Sequence, residues 1–331
     1  MAKNLVVGDW VEVKSAADIL ATLDERGTLE ALPFMPEMLP SIGKRFRILK
    51  RATKTCDTID KTGFRRMRDT VMLEGLRCDG TSHGGCQAGC MIFWKEQWLK
   101  PVSDNGQSTS LIGIDPRGNN EVRNPSRDAA FVELETRVQK AARVGDGAWP
   151  NGEPIYMCLI TEMKKASLPL AWWDLRHFIA DVRCGNRRWG EVIRVLLLRL
   201  FNWVQTKRGG TPYPYMDRGH LKKTPNDDLK LQPGDLVKIK SPEEIMGTLD
   251  ANCKTRGLRF DVGMFRYCGG EYRVAIRGQR LIDQKTGKMI YMTDQSPCIM
   301  LEGVICHADF MQFCPRNEYL FWREAWLKKV S

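Results

Sequence analysis

Short runs in which apolar and polar residues alternate occur near both ends of the chain. From 10 to 14, Val11 and Val13 fall on one side of the run, whereas Trp10, Glu12 and Lys14 fall on the other. Since successive side chains of a strand point to opposite faces, this spacing predicts a half-buried β-strand. Further strand-like runs lie at 45–49, 70–76, 271–275 and 298–304. The pattern predicts a small β-rich unit at each end of the chain.

Many residues of the first unit recur at equivalent places in the second. The matched segments are Gly8-Asp9 with Gly234-Asp235, Thr22-Leu23-Asp24 with Thr248-Leu249-Asp250, Leu73-Glu74-Gly75 with Leu301-Glu302-Gly303, and Phe93-Trp94 with Phe321-Trp322. In the same alignment Cys78 matches Cys306, and Cys86 matches Cys314. Self-similarity of this kind predicts two copies of one structural unit.

The openings Gly8-Asp9-Trp10-Val11 and Gly234-Asp235-Leu236-Val237 resemble the first strand of the SH3-like barrel superfamily. That resemblance implies a small barrel of four or five strands. It implies no activity, because barrels of this kind serve many unrelated functions. The predicted fold class is therefore α+β, with two SH3-like β-barrel repeats at 1–102 and 234–331. A linker and a mainly helical insert, at 103–233, separate them.

The spacing of apolar residues changes between the two units and favours helices. Residues 103–122, rich in Gly, Asn, Ser and Asp, are typical of a loop or linker. Helices are predicted at 124–144, 169–182 and 189–206, and Gly209-Gly210 ends the last of them. On that last helix one apolar stripe contains Ile193, Leu196, Leu197, Leu200 and Val204. We expect this stripe to face a core.

Apolar content and charge narrow the class of protein. The 331 residues are 43% hydrophobic and 27% charged, as in ordinary globular proteins. The net charge of +11 is spread over the whole chain, so it supports a nucleic-acid partner only weakly. No apolar run is long enough to cross a bilayer, and the first residues lack the pattern of an export signal. A cytoplasmic protein with no membrane partner is therefore expected.

The eleven cysteines are the strongest chemical signal in the sequence. Since cytoplasmic thiols stay reduced, metal binding is a better explanation for clustered cysteines than disulfides are. Each unit offers four cysteines and one histidine as metal ligands. The candidates are Cys56, Cys78, Cys86, Cys90 and His83 in the first unit, and Cys268, Cys298, Cys306, Cys314 and His307 in the second. Four thiolates suit either an iron–sulfur cluster or a zinc ion.

Three functions are compatible with this pattern, and no catalytic residue can be named. The first is an iron–sulfur electron-transfer or biosynthetic oxidoreductase that works with a protein partner. The second is a zinc-stabilised pair of barrels that binds a protein or a nucleic acid and catalyses nothing. The third is a thiol-based enzyme that uses Cys86 or Cys90.

Several residues also have a purely structural interpretation. The cysteines as a group can be buried free thiols, which pack as small apolar side chains. Cys158 and Cys184 are expected in the core, and Cys253 has no assigned role. Glu96 and Glu324 occupy matched positions, and each is expected to pair with a basic neighbour.

Overall fold

The first and last parts of the chain each form a five-stranded antiparallel sheet, with the same strand order in both, in a computed structural model. The structure describes residues 5–60, 62–102, 128–144, 154–171, 173–216, 219–294, 296–308 and 313–330. In spatial order the first sheet contains Met91–Lys95, Thr70–Arg77, Arg45–Arg51, Trp10–Val13 and Leu99–Val102. The second contains Tyr319–Trp322, Cys298–Ile305, Glu271–Gly278, Leu236–Ile239 and Leu327–Lys329. We call these sheets, with the segments packed on them, the first and second barrel.

The pairing register also corresponds between the barrels. Val11 lies opposite Phe46 on one side and Pro101 on the other, whereas Val237 lies opposite Tyr272 and Lys329. Both valines are fully buried, as the alternation predicts. The α+β class with two barrel-like units is therefore confirmed.

Short helices occupy matching places in both barrels. Their bounds are Ala16–Leu20 and Pro242–Met246 for the α-helices, and Pro36–Ser41, Glu96–Trp98, Val262–Tyr267 and Glu324–Trp326 for the 3-10 helices. Ser15 and Ser241 cap the α-helices, and each hydroxyl accepts a backbone N–H three residues later at 3.2 Å. The caps satisfy N–H groups that have no partner within the helix.

A matched tryptophan and threonine make the same hydrogen bond in the core of each barrel. The indole of Trp98 donates a hydrogen bond to the Thr22 hydroxyl at 3.0 Å. Trp326 makes the same bond to Thr248, also at 3.0 Å. Both tryptophans are fully buried, so each hydrogen bond satisfies a polar group in the core. Core packing thus explains the shared Thr and Trp positions without any shared chemistry.

The matched glutamates pair with arginines, as expected from the sequence. Glu96 forms an ion pair with Arg51. Glu324 lies 2.7 Å from the Arg277 guanidinium and also accepts the backbone N–H groups of Leu229 and Leu231. These contacts assign both glutamates a structural role at the barrel edge.

The described residues of the insert form four helices, at Ala129–Ala142, Leu159–Glu162, Arg176–Arg183 and Trp189–Lys207. The predicted helix at 124–144 is confirmed over Ala129–Ala142, whereas its first residues and the linker at 103–122 lie outside the described residues. No described helix is both long enough and apolar enough to cross a membrane. Short strand pairs complete the fold: Thr28–Leu29 with Leu32–Pro33, Arg143–Val144 with Ile155–Tyr156, Lys254–Thr255 with Leu258–Arg259, and Arg280–Ile282 with Met289–Tyr291.

The predicted helix at 169–182 is wrong in its first half. Leu168–Leu170 forms a strand that pairs with Phe64–Arg66, which in turn pairs with Lys54–Cys56. Pro169 fits this place because the strand lies at the edge of its sheet, where a missing N–H costs little. The helix begins only at Arg176.

The apolar stripe on the long helix Trp189–Lys207 does not face a core. Three of its members are more than half exposed, namely Ile193, Leu197 and Leu200. The buried side chains are instead Val192 and Val195, which pack in one cluster with Phe178 and Phe313. The periodicity was sufficient to predict the helix, but the side covered by neighbours is set by tertiary contacts.

A buried charged cluster links the insert to the strand Lys54–Cys56, beside the first barrel. Lys54 is fully buried, and its ammonium lies 2.5 Å from the Asp181 carboxylate and 2.9 Å from Nδ1 of His177. Thr53 donates a further hydrogen bond to Asp181 at 2.7 Å. Burial lowers the pKa of Lys54, and Asp181 opposes that change. Lys54 therefore depends on Asp181 to stay charged.

His177 gives this cluster a predictable response to acid. Burial and the nearby Lys54 lower the pKa of His177 to about 4, from an ordinary value of 6.5. Between these two pH values the unfolded chain binds the proton and the folded chain does not, so stability falls as the pH is lowered through this window. The loss attributable to His177 is expected to reach about 3 kcal/mol.

Urea unfolding at pH 7 and at pH 4.5 measures this loss. The variant His177→Gln should lose less stability than the wild type over the same interval, whereas His220→Gln, in an exposed segment, should lose as much. Equal losses in the wild type and in His177→Gln would contradict the assignment.

Candidate metal centre

Four cysteines from two separate chain segments line one pocket at the end of the first barrel. They are Cys78, Cys86, Cys90 and Cys158. The cavity measures about 30 Å³, and His83 and the apolar side chains Met35, Leu159, Ile160 and Ile282 complete its wall. A cavity of this size holds one ion or one to two water molecules.

The loop that follows the strand Thr70–Arg77 brings three of these cysteines together. Cys78 directly follows the strand, and its N–H donates to the carbonyl of Cys90 at 2.8 Å. The carbonyl of Gly80 accepts two backbone N–H groups of the loop, both at 2.9 Å. Gly80 has φ +71°, and a Cβ there would lie 1.9 Å from the carbonyl oxygen of Cys86. Only glycine fits this turn, which returns Cys86 to the pocket.

His83 and Glu37 form a buried pair beside the pocket. Nδ1 of His83 lies 2.7 Å from Oε1 of Glu37, and the same oxygen accepts the N–H of Ser82 at 3.2 Å. Nε2 of His83 lies 3.0 Å from the carbonyl oxygen of Met157. Because a carbonyl can only accept, Nε2 carries a proton. The imidazole is thus fixed from both sides and orients the carboxylate.

Glu37 also presents an unsatisfied oxygen. Its side chain is 3% exposed, and Oε2 is buried without a hydrogen-bond partner among the described residues. Ligand atoms of Glu37, Cys78 and His83 lie within 4.8 Å of one another, and no other three histidine, cysteine or acidic residues in the described part of the chain do so. A buried oxygen without a partner is costly, and a cation would satisfy it.

Burial favours the neutral form of three of the four thiols in this pocket, those of Cys78, Cys90 and Cys158. It raises the pKa of Cys78, and the neighbouring Glu37 raises it further. Burial also raises the pKa values of Cys90 and Cys158. Since metals bind thiolates, ion binding here would release protons, and affinity would rise with pH.

Two residues of this site were not among the predicted ligands. Cys158 was expected to be core, and it is buried, but it also lines the pocket. It comes from the insert and has no counterpart in the second barrel, so no spacing pattern could have included it. Glu37 carries a recognisable signal, since it is the one acid in the apolar run from Leu32 to Leu39.

The structure does not place four predicted cysteines together in either barrel. Cys56 lies with Cys314 of the second barrel, and their sulfurs are 3.2 Å apart. Cys56 belongs to the hairpin Lys54–Cys56 and Phe64–Arg66, which is a separate sheet from the first barrel. Cys56 therefore does not line the pocket that contains Cys78.

The remaining candidates of the second barrel are dispersed. Cys298 is buried at the start of its strand, with its sulfur 3.9 Å from the Arg323 guanidinium. Cys268 lies 3.8 Å from the carbonyl of Met264, and burial raises its pKa to about 11. Side chains placed in a strand core or beside their own helix cannot converge on one ion.

Cys306 keeps the backbone position of Cys78 but not its surroundings. Its N–H donates to the carbonyl of Glu318 at 2.7 Å, just as Cys78 donates to Cys90. The 3-10 helix that carries Glu37 in the first barrel carries Gly263 at the same place in the second. His307 stacks against Tyr267, with ring centroids 6.4 Å apart. The second barrel therefore lacks the carboxylate of the first site at the matching place, and its His307 packs against Tyr267.

Similarity to known proteins gives no independent guide to this centre. The donor set is thus the main source of information: thiols and one imidazole line a small cavity, and one carboxylate oxygen lies beside it. No protein-family model, curated protein or solved structure matches the chain.

Proposed function

We propose that the protein binds a metal ion in the pocket of the first barrel, and that this ion fixes the insert to the barrel. The observation that carries the proposal is the group formed by Glu37, Cys78 and His83, which opens onto a pocket with three further thiols. The orphaned oxygen of Glu37 supports it, because that oxygen needs a partner. Cys158 supports the stabilising role, since it alone of the four thiols comes from the insert.

Zinc is the ion that this site suits best. Zn²⁺ accepts cysteine sulfur and carboxylate oxygen donors, and it favours four-coordinate sites. The cavity of about 30 Å³ favours a single ion over a cluster of several iron and sulfide atoms. His83 would act on the ion mainly through Glu37, because both of its ring nitrogens already have partners.

An iron–sulfur cluster, and with it an electron-transfer or oxidoreductase function, is the second candidate. It is favoured by the spacing of the thiols: among the described residues, no three cysteine sulfurs lie within 4.8 Å of one another. A zinc ion with bonds of about 2.3 Å would hold its sulfurs only about 3.8 Å apart. A cluster holds its thiolates further apart, since each one binds a different iron atom.

As a zinc protein, the chain would be a binding module built on two barrels. The SH3-like identity of the barrels is part of this proposal and is supported by the Gly-Asp openings and the common strand order. A protein partner is supported by the exposed apolar residues of the long helix, Ile193, Leu197, Leu200 and Trp203. A nucleic-acid partner has only the dispersed positive charge in its favour.

Replacing Cys78 with serine is expected to abolish metal retention. Wild-type protein purified without air should contain one zinc ion per chain by elemental analysis and should be colourless. Cys78→Ser and Cys158→Ser should both lose the ion, because each removes a thiolate from the pocket. Cys184→Ser is the matched control, since Cys184 is equally buried but lies outside the pocket.

The colour and metal content of the same purified protein distinguish zinc binding from the other candidates. Brown protein containing iron and sulfide would support the cluster candidate in place of zinc. Loss of metal in Cys56→Ser as well as in Cys78→Ser would favour the cysteine grouping predicted from the sequence. Wild-type protein without bound metal, even after incubation with Zn²⁺, would contradict metal binding at this site.

A further inference from the structure

Two cysteines from distant parts of the chain, both outside the metal centre, lie in contact with each other. Cys56, on the hairpin beside the first barrel, and Cys314, in a loop of the second, are 258 residues apart in sequence. Their sulfur atoms are 3.2 Å apart, and the backbone N–H of Cys56 points to the Cys314 sulfur at 3.3 Å. Neither residue lines the pocket that contains Cys78.

The surroundings of the pair favour a negative charge. Arg316 is 3% exposed, and its guanidinium lies 3.8 Å from the Cys56 sulfur and also pairs with Glu318. Nε of Arg316 is buried without a hydrogen-bond partner among the described residues. A buried cation beside two thiols stabilises a thiolate, which is the reactive form in disulfide chemistry.

The two thiols differ in their readiness to ionise. Burial raises the pKa of Cys314, but hydrogen bonds and Arg316 outweigh that effect, so the net change is a lowered pKa. The hydrogen bond with Cys314 and burial raise the pKa of Cys56. Cys56 is partly exposed whereas Cys314 is buried. An outside reagent therefore meets Cys56 first, with the Cys314 sulfur directly behind it.

We propose that Cys56 and Cys314 are a redox pair that forms a reversible disulfide between the first and second halves of the protein. The oxidant is a small disulfide of the glutathione class. This inference rests on other residues than the metal centre and does not depend on it. The sulfurs need to approach by only about 1.2 Å to reach the bond length of about 2.0 Å, which side-chain rotation can supply.

The exchange proceeds in two balanced steps. The Cys314 thiolate takes the proton of the Cys56 thiol as the Cys56 sulfur attacks one sulfur of oxidised glutathione. The bond between the two glutathione sulfurs breaks, and the glutathione thiolate that leaves takes that proton from Cys314. The Cys314 thiolate then attacks the Cys56 sulfur, the mixed disulfide breaks, and the second glutathione thiolate leaves and takes a proton from water. The protein loses two electrons, and the oxidant becomes two glutathione thiols.

The test is a redox titration of the full chain, loaded with zinc, in mixtures of reduced and oxidised glutathione. Free thiols are trapped with an alkylating reagent, and linked peptides are identified by mass spectrometry. We expect a linked peptide that contains Cys56 and Cys314, formed reversibly and ahead of any other pair. The oxidised protein should also melt at a higher temperature than the reduced one, because the link constrains the unfolded chain.

Three variants make the result specific. Cys56→Ser and Cys314→Ser should each lose the linked peptide and the shift in melting temperature, with the metal content of the Cys78 pocket unchanged. Cys306→Ser should keep both, although Cys306 lies near the pair. The far-ultraviolet circular dichroism of each variant shows whether it is folded.

Other outcomes would overturn the proposal. One is a fully oxidising mixture that links other cysteines but leaves Cys56 and Cys314 free. Another is a linked pair that forms equally well between Cys56 and Cys306. A third is a second metal ion that is lost in Cys56→Ser and Cys314→Ser, which would make the two thiols metal ligands. Each result is independent of whether the Cys78 pocket binds zinc.

Discussion

Replacing Asp181 with alanine is expected to lower the free energy of unfolding by about 3–5 kcal/mol. Lys54 would then keep an ammonium group in a site that is fully buried, with no carboxylate beside it. The remaining contact, with Nδ1 of His177, can accept a proton but cannot neutralise the charge. Removing one member of a buried ion pair is costly for this reason, and urea unfolding at pH 7 measures the loss.

Two variants separate this effect from ordinary losses. Glu133→Ala breaks an exposed ion pair with Arg137, 2.9 Å long, and should cost no more than about 0.5 kcal/mol. The double variant Lys54→Met with Asp181→Leu should recover most of the stability, because two apolar side chains leave no buried charge. A loss in Asp181→Ala as small as that in Glu133→Ala would show that water reaches Lys54.

Replacing Trp98 with alanine should also cost about 3–5 kcal/mol. The side chain is fully buried in the first barrel, and the ring of Phe34 packs edge-on against it with centroids 5.2 Å apart. The substitution leaves a large cavity and removes the hydrogen bond to Thr22. Thermal or urea unfolding of the variant measures the loss.

The matched tryptophan of the second barrel allows the same substitution to be tested there. Trp326 is equally buried, packs against Phe260 with centroids 5.4 Å apart, and should give a loss of the same size in Trp326→Ala. Trp203 is 61% exposed on the long helix, so Trp203→Ala should change stability by less than about 0.5 kcal/mol. If Trp98→Ala were as mild as Trp203→Ala, the packing assigned to the first barrel would be wrong.

Local features of the fold were predictable because they depend on neighbours in the sequence. The alternation at Trp10–Val13 depends only on residues next to one another, and the same holds for the caps Ser15 and Ser241. The matched segments predicted the common strand order of the two barrels for a related reason: similar local sequences form similar local structures.

The grouping of the cysteines could not be predicted in this way. Cys56 was grouped with Cys78 because both fall in the first repeat, but the hairpin that carries Cys56 lies next to Cys314 of the second barrel. Cys158 enters the pocket from a separate helical segment. Such contacts between distant parts of the chain depend on how the insert packs, and a comparison of the two barrels contains no information about the insert.

The buried face of the long helix Trp189–Lys207 could not be predicted from the sequence either. Its periodicity correctly predicts that Ile193, Leu197 and Leu200 share a face. Periodicity does not say whether that face or the one with Val192 and Val195 is covered. Both faces of the helix carry apolar residues. Which face is buried depends on contacts with Phe178 and Phe313, and no local sequence pattern identifies these two residues as its partners.

The loop that carries Cys86 and Cys90 is held by the second half of the protein. The side-chain oxygen of Gln87 accepts the N–H groups of Gln279 and Arg280 at 2.7 and 3.0 Å, and the backbone N–H of Gln87 donates to Arg280 at 2.8 Å. Ile282, from the same strand, closes one wall of the pocket. A ribosome-bound chain that ends before residue 280 therefore lacks part of the pocket. During biosynthesis, an ion could be captured in the complete pocket only after residues 279–282 have left the exit tunnel.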